Sequence, residues 1–551
     1  MYREFLPKSF LYLRSGYTRS TFKKDLLAGI TIGIIALPLA IAFAIASGTT
    51  PERGLITAII AGFLISALGG SRVQIGGPTG AFVVLIYDII QRNGYEGLVL
   101  ATLIGAILLI LFGVFRLGTW IKYVPHPLVV GFTTGIAFII FSSQIKEFFG
   151  LSQAGFSPDF LGKWSSYIQT FPSLHGPTCA LGTATLLCIF LIRRYTPRIP
   201  WGITAIGLAT ACVYLFDLPV ATLHSAFGEL PHSIPLPSLP SFLIPEGKFV
   251  EIFMDAVAIA LLGGIESLLS AVIGDGMMGG RHKSNCELVG QGIANIGSIL
   301  FGGIPATGAI ARTATNVKAG AQTPVAGMIH ALTLLLIVLF FSPLVSHIPL
   351  SALAAVLIMI AWNMSELSHF IHLLKAPLGD VAILLTSFFL TLFVDITAAI
   401  VVGMILSSFL FMKRMSQFSK VQLSSAFHES KVEFHPDTRK YLVKGVEIYE
   451  IQGPFFFGAA DILKDLLVNI EPPPKVFILR LRQASFIDAS GMCALKEFHE
   501  KCKKEKITLL LAEVEGHVKA DLKKFGLTQL IGKKQIFPSL DLALKAASQC
   551  T

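Results

Sequence analysis

The sequence predicts an α-helical polytopic membrane domain of fourteen spans in a 7+7 inverted repeat, followed by a C-terminal α/β domain. Three observations carry this. Hydrophobic residues make up 53% of the 551 and charged residues only 14%, against about 25% charged in soluble proteins. The deficit is confined to residues 1–420, which hold 43 charged side chains, 25 basic and 18 acidic, while the last 131 residues hold 35. Two short apolar segments in corresponding positions of the two halves also open with glycines, a proline and the same Thr-Gly-Ala.

The elements follow in order. Residues 1–24 form a basic cytoplasmic segment carrying Arg3, Lys8, Arg14, Arg19, Lys23 and Lys24. The uncharged run behind them is long enough to be a retained first helix and has no cleavage site before it, so it does not read as a signal peptide. A helix needs about 20 apolar residues to cross a bilayer. Within 25–415, apolar runs occur at 26–51, 54–71, 73–87, 97–115, 123–145, 176–192 and 199–216. Later ones lie around 256–274, 288–311, 319–365, 381–394 and 396–412. Breaks at Gly302-Gly303-Ile304-Pro305 and near Ser342-Pro343 and Pro349 divide the two longest, which gives fourteen. With the N-terminus inside, 19 Lys and Arg fall in inner loops and five in outer ones, the bias expected of a multi-pass inner-membrane protein with both ends cytoplasmic. The outer stretch 233–245 is proline-rich and reads as extended.

Segment three begins IGGPTGAFVVLIYD (75–88) and segment ten GGIPATGAIARTATN (302–316). Paired short, Gly/Pro-interrupted segments mark inverted repeats with broken helices. Seven is odd, so the second half sits upside down, and the two half-helices point their N-termini at each other near mid-membrane. A helix N-terminus has unpaired N–H groups and roughly half a positive charge, so two facing one cavity make an anion site without a metal or cofactor. The competing account is that these glycines simply let helices pack closely.

The substrate contacts are expected at Thr79, Gly80, Ala81, Thr307, Gly308 and Ala309, with Arg312 adding positive potential; the alternative for Arg312 is snorkelling to an interface. Glu266 is a candidate for coupling to H⁺ or Na⁺, or a static ion pair with Arg312. Ser270, one turn on, could share the cation. Phe43 lines the cavity wall beyond Pro38, or merely packs. Asp88 reads as interfacial. Glu366, His369 and His372 have metal-like spacing but flank an amphipathic link, so a solvated face is the better reading.

Beyond a linker at 416–438, residues 439–551 alternate strand and helix: strands at 440–453, 475–486 and 507–514, helices at 453–470, 487–506 and 518–526. This is the pattern of a compact α/β domain. It holds no phosphate loop and no nucleophile–base pair, so an enzyme is not expected. The last 131 residues carry a net +3 with mixed signs, which gives nucleic acid nothing to hold. Seven dispersed cysteines show no zinc spacing and read as reduced core residues. Ser490 or Asp488 caps the helix at 487–506, or the loop there is phosphorylatable and read by a partner.

The stretches LPLAIAFAIASG, GGSRVQIGGPTGAFVV, IKYVPHPLVVGFTTG, GIESLLSAVIGDGM and KSNCELVGQGIANIGSILFGGIPATGAIARTATNVKAGA, with the tail's IDASG, resemble the SulP family of anion transporters along nearly the whole chain. Within it, GIESLL, ELVGQG, AIAR and AWNMSE (361–366) look most like the bacterial DauA type, which transports C4-dicarboxylates. The resemblance implies core and gate domains, a homodimer, anion contacts at Thr79 and its neighbours, Thr307–Ala309 and Arg312, and coupling at Glu266. It implies that the tail is a STAS domain with Ser490 at the phosphorylatable position and a cytoplasmic protein partner. The expected function is H⁺-coupled uptake of C4-dicarboxylates such as succinate, fumarate and aspartate. The alternatives are a sulfate or bicarbonate transporter, coupled to H⁺ or Na⁺, and a passive anion channel.

Overall fold

The computed structural model describes residues 4–14, 16–119, 124–152, 160–196, 200–228, 233, 235–238, 248–418, 420–423, 445–456, 463, 473–514 and 516–550. The chain divides into two compact units, Met1–Ile405 and Leu406–Thr551.

In the first unit, α1 (Lys8–Arg14) precedes α2 (Arg19–Ala46), whose N-cap Thr18 accepts a hydrogen bond from the Thr21 N–H. A turn at Gly48 leads to α3 (Pro51–Leu68), with proline in the first turn, where its missing N–H costs nothing. A two-residue strand β1 (Gly76–Gly77) follows, then α4 (Gly80–Val114). Gly94, at φ +68° and ψ −177°, bends α4 into an outgoing and a returning segment, a conformation that favours glycine. Then come α5 (His126–Phe149), α6 (Phe160–Thr170), α7 (Gly176–Tyr195), α8 (Trp201–Phe216) and α9 (Leu223–Phe227).

The second half repeats this order. It has α10 (Phe249–Met278), α11 (Ser284–Leu300), strand β2 (Thr307–Gly308) and the nine-residue α12 (Ile310–Lys318). These are followed by α13 (Val325–Ser346), α14 (Leu350–Met364), α15 (Leu367–Leu373), α16 (Leu378–Phe393) and α17 (Ile396–Phe418). Nine helical stretches among the described residues are long and apolar enough to cross a membrane, one of them Leu350–Leu373, which takes in α14 and α15 together. In packing, α2 lies on α13, α3 on α11 and α13, and α4 on α10 and α11. A separate set joins α5 to α14 and α16, and α7 to α8 and α14. The membrane unit thus has the two bundles of a core and a gate, and α2 reaches across to α8 and α14.

Two boundaries differ from the sequence reading. The run 73–87 is helical only from Gly80, because its first residues are drawn into β1. The run 319–365 breaks once, at 347–349; Pro343 lies inside α13. Helices α1, α6, α9 and α15 escaped the search for apolar runs because they are too short to span a membrane. Of the stretch 233–245, the described residues 233 and 235–238 have neither helix nor strand.

In the second unit, strands β3 (Lys420–Leu423), β4 (Val446–Phe455), β5 (Val476–Arg480), β7 (Thr508–Ala512) and β8 (Ile536–Phe537) form a sheet in that order, with β6 (Ala484–Ile487) pairing β4. Strands β4, β5, β7 and β8 are parallel. Helix α18 (Ala489–Lys504) buries Leu495, Phe498 and Cys502 against one face, while the last helix (Leu540–Cys550) covers the other. Strand β3 lies within the stretch read as linker. Most of the helix expected at 453–470 lies outside the described residues.

Candidate functional site

The site is organised by two glycine-containing strands of two residues each. β1 and β2 pair antiparallel, Gly76 opposite Gly308 and Gly77 opposite Thr307, and the Ala309 N–H donates to the Ile75 carbonyl at 2.8 Å. Thr79 is the N-cap of α4 and Ala309 the N-cap of α12. Because the strands run antiparallel and each leads directly into its helix, the two helices diverge from one bridge with their unpaired N–H ends gathered at it. Neither N-cap side chain bonds into its helix's first turn, so those ends lack the usual side-chain cap. The Thr79 hydroxyl is buried and has no hydrogen-bond partner among the described residues.

Arg312 sits in the first turn of α12, 4% exposed. Its Nη2 donates to the Pro78 carbonyl, just ahead of α4, and its Nη1 has no partner among the described residues. Gly77 lies beside it at φ +146°; a Cβ there would stand 2.8 Å from Nη1. The guanidinium therefore bridges the two half-helix starts while retaining its charge. Two positive helix ends and a buried, unneutralised arginine together favour an anion.

The surrounding hydroxyls hold this frame. Ser267 of α10 bonds the Thr307 hydroxyl at 2.7 Å and accepts from the Gly308 N–H at 3.1 Å. Ser270 bonds the Thr313 hydroxyl at 2.9 Å, and Thr313 accepts from the Ile75 N–H at 3.1 Å. Asn295 brackets Ala306 from both sides, accepting from its N–H and donating to its carbonyl. Thr307 and Ser270 are thus engaged in fixing the bridge to α10, whereas Thr79 is free.

All ten membrane-domain candidates, Phe43, Thr79, Gly80, Ala81, Glu266, Ser270, Thr307, Gly308, Ala309 and Arg312, are buried. Gly80 faces the gate: a Cβ there would meet Met364 of α14 at 2.7 Å and Ile140 of α5 at 3.3 Å. Phe43 belongs to α2, which packs on both α4 and α12. Glu266 adjoins Ser267, so its backbone is next to the bridge, but it makes no salt bridge with Arg312, whose Nη2 is taken by Pro78. Asp88 pairs with Arg92 at 2.7 Å, and Arg92 also meets Glu251 and Asp255. His369 and Glu366 form an exposed pair at 3.2 Å.

Two residues escaped the sequence reading. Gln74 is 3% exposed with both amide atoms unpartnered, and a Cβ on Gly308 would overlap its Nε2. His330 of α13 is fully buried, its ring packed at Gly62. Each is a lone polar residue in an apolar run, the only signal available. In the second unit, the Asp488 carboxylate caps α18 by accepting from the Gly491 N–H at 2.8 Å, which leaves Ser490 exposed in the first turn.

A bundle in which two broken helices start head to head over an unneutralised arginine has the architecture of a multi-pass membrane transporter of anions. Residues 22–387 match the Sulfate permease family and residues 438–543 the STAS domain; the chain belongs to the sulfate permease (SulP) family. It is 40% identical to "Putative sulfate transporter YvdB" of Bacillus subtilis (strain 168), over 96% of this chain and 98% of that one. It is 28% identical to "Bicarbonate transporter BicA" of Picosynechococcus sp. (strain ATCC 27264 / PCC 7002 / PR-6), over 95% and 94%. In fold it resembles the murine Solute Carrier 26 family member A9 anion transporter in the inward-facing state, with a TM-score of 0.86 at 18% identity, over 99% of this chain and 94% of that one.

Proposed function

We propose that the protein is a secondary active transporter of a small inorganic oxyanion, sulfate first and bicarbonate second, held between the N-termini of α4 and α12. The observation that carries this is the β1–β2 bridge with Arg312 across it, an anion site built from backbone ends and one uncompensated charge. Such a site takes sulfate, bicarbonate or a carboxylate, so its chemistry alone does not rank them. The named relatives are sulfate and bicarbonate transporters, which moves those anions ahead of the C4-dicarboxylates suggested by the DauA-like wording.

Thr79 and the helix-end N–H groups of Gly80 and Ala81 would bind the anion, with Ala309 and Arg312 opposite; Thr307 and Gly308 hold the bridge in shape. Glu266, buried and without an ion pair, is the group we assign to the coupling cation, H⁺ or Na⁺, with Ser270 as its scaffold neighbour. Transport would proceed by the core moving against the gate at Gly80. The charge bias of the loops supports an inner-membrane location with both termini cytoplasmic. The homodimer, a STAS partner and phosphorylation of Ser490 rest on family resemblance. An added phosphate at Ser490 would lie at the N-terminus of α18, where negative charge is favourable.

The test is uptake of labelled sulfate, bicarbonate and succinate into proteoliposomes, with and without an inward H⁺ or Na⁺ gradient. Gradient-driven sulfate or bicarbonate accumulation, lost in Glu266→Gln while exchange persists, is the expected result. Accumulation of succinate alone would overturn the substrate order. Flux indifferent to both gradients would favour a channel.

A further inference from the structure

Away from the bridge, at the turn between α2 and α3, lies a cavity of about 390 Å³, within the range of about 300–1,000 Å³ typical of small-molecule sites. Gly48, Thr49, Thr50, Arg53, Tyr95 and Phe227 are among its lining residues, and among the described residues Arg53 is the only charged one that lines it. In the orientation proposed above, this turn is on the outer side.

We propose that this cavity is a second anion site, built on Arg53, where a small oxyanion is received from the outer side before it reaches the half-helices. The inference rests on reading the chain as an oxyanion transporter. The Arg53 guanidinium lies over the Tyr95 ring, 3.2 Å from its centroid. Stacking orients a guanidinium without cancelling its charge. Nη1 has no hydrogen-bond partner, and among the described residues no carboxylate pairs with Arg53. The nearest carboxylate in sequence, Glu52, is bonded by the Thr50 hydroxyl at 3.3 Å and does not line the cavity. Arg92, which this reading also puts on the outer side, is the contrast, since Asp88, Glu251 and Asp255 all meet it. Arg92 is a structural clasp; Arg53 is a cation held in place with its charge unanswered.

The same residues connect the cavity to the loop that leads into β2. The Tyr95 hydroxyl donates to the Gly303 carbonyl at 2.7 Å. Thr57, one turn after Arg53, donates to the Arg53 carbonyl at 2.6 Å and accepts from the Ile304 N–H at 2.7 Å. An anion at Arg53 therefore sits beside two of the side-chain anchors, Tyr95 and Thr57, of the segment that ends in Thr307, Gly308 and α12.

Two measurements test this on the full chain. In proteoliposomes with known orientation, Arg53→Gln should raise KM for sulfate supplied at the outer face about tenfold, leaving kcat and the inner-face KM unchanged, and Arg53→Lys should restore part of the loss. An unchanged outer-face KM, or equal changes on both faces, would overturn the proposal. Independently of transport, equilibrium binding of labelled sulfate to purified protein should fall from two sites to one in Arg53→Gln; unchanged stoichiometry overturns the second site. If the wild type carries neither sulfate nor bicarbonate, the transport reading fails on its own, and the stoichiometry still decides the site.

Discussion

Arg312 is held without being neutralised. A buried arginine is costly in a membrane unless its surroundings are polar, and here they are a backbone carbonyl and two helix ends that repel it. Among the described residues no carboxylate pairs with it, Glu266 included. This is why the sequence alternatives of interfacial snorkelling and a static ion pair lose ground: the guanidinium is buried and points at Pro78. Residue scale also separates groups that look alike in sequence. Thr79 and Thr307 occupy equivalent places in the repeat, yet only Thr307 is engaged, because Ser267 stands opposite it. The cysteines separate in the same manner. Burial pushes the Cys502 thiol up to about 12, so almost none of it is thiolate at pH 8, whereas Cys493 and Cys550 are exposed. Iodoacetamide at pH 8 should label Cys493 and Cys550 and spare Cys502 until the domain is unfolded, as read by peptide mass mapping; equal labelling of the native domain would contradict this packing.

At the scale of elements, the half-helices depend on a bridge of only two residue pairs. Gly77 at φ +146° lies where a side chain is strained, and a Cβ there would press on Arg312. Gly77→Ala should therefore cost about 1–3 kcal/mol in backbone strain and displace the guanidinium. A lowered melting temperature of the purified protein together with weakened sulfate binding would bear this out, and wild-type values for both would refute it. The two broken segments were legible because glycine and proline interrupt otherwise apolar runs at Gly76-Gly77-Pro78 and Gly302-Gly303-Ile304-Pro305. Their direct pairing was not, because Gly-Gly has no side-chain alternation from which to read a strand. Nor was the engagement of Ser270 and Thr307, whose partners lie more than 39 residues away in sequence. The short helices α6 and α9 were hidden for a simpler reason, since the search was for spans.

At the scale of the molecule, the chain pairs a membrane unit of two bundles with an α/β unit, and the charge partition at residue 420 announced that division. The proposed anion and coupling residues all belong to the first unit, and among the described residues the second has a core on both faces of its sheet around β4, β5 and β7. Truncation after residue 425 should therefore leave the anion site intact, lowering surface level or maximal rate without changing the KM for sulfate. A changed KM would mean that the second unit reaches the site.

The central claim is that an oxyanion binds at the meeting point of α4 and α12 through Arg312. Its most direct measurement is equilibrium binding of labelled sulfate to purified protein carrying Arg312→Gln, made in the Arg53→Gln background so that one site remains. Removing a charged hydrogen-bond donor of this kind costs about 1.5–3 kcal/mol, so affinity should fall by about ten- to a hundred-fold, with bicarbonate competing in the parent protein. Unaltered sulfate affinity in the double variant would contradict the account.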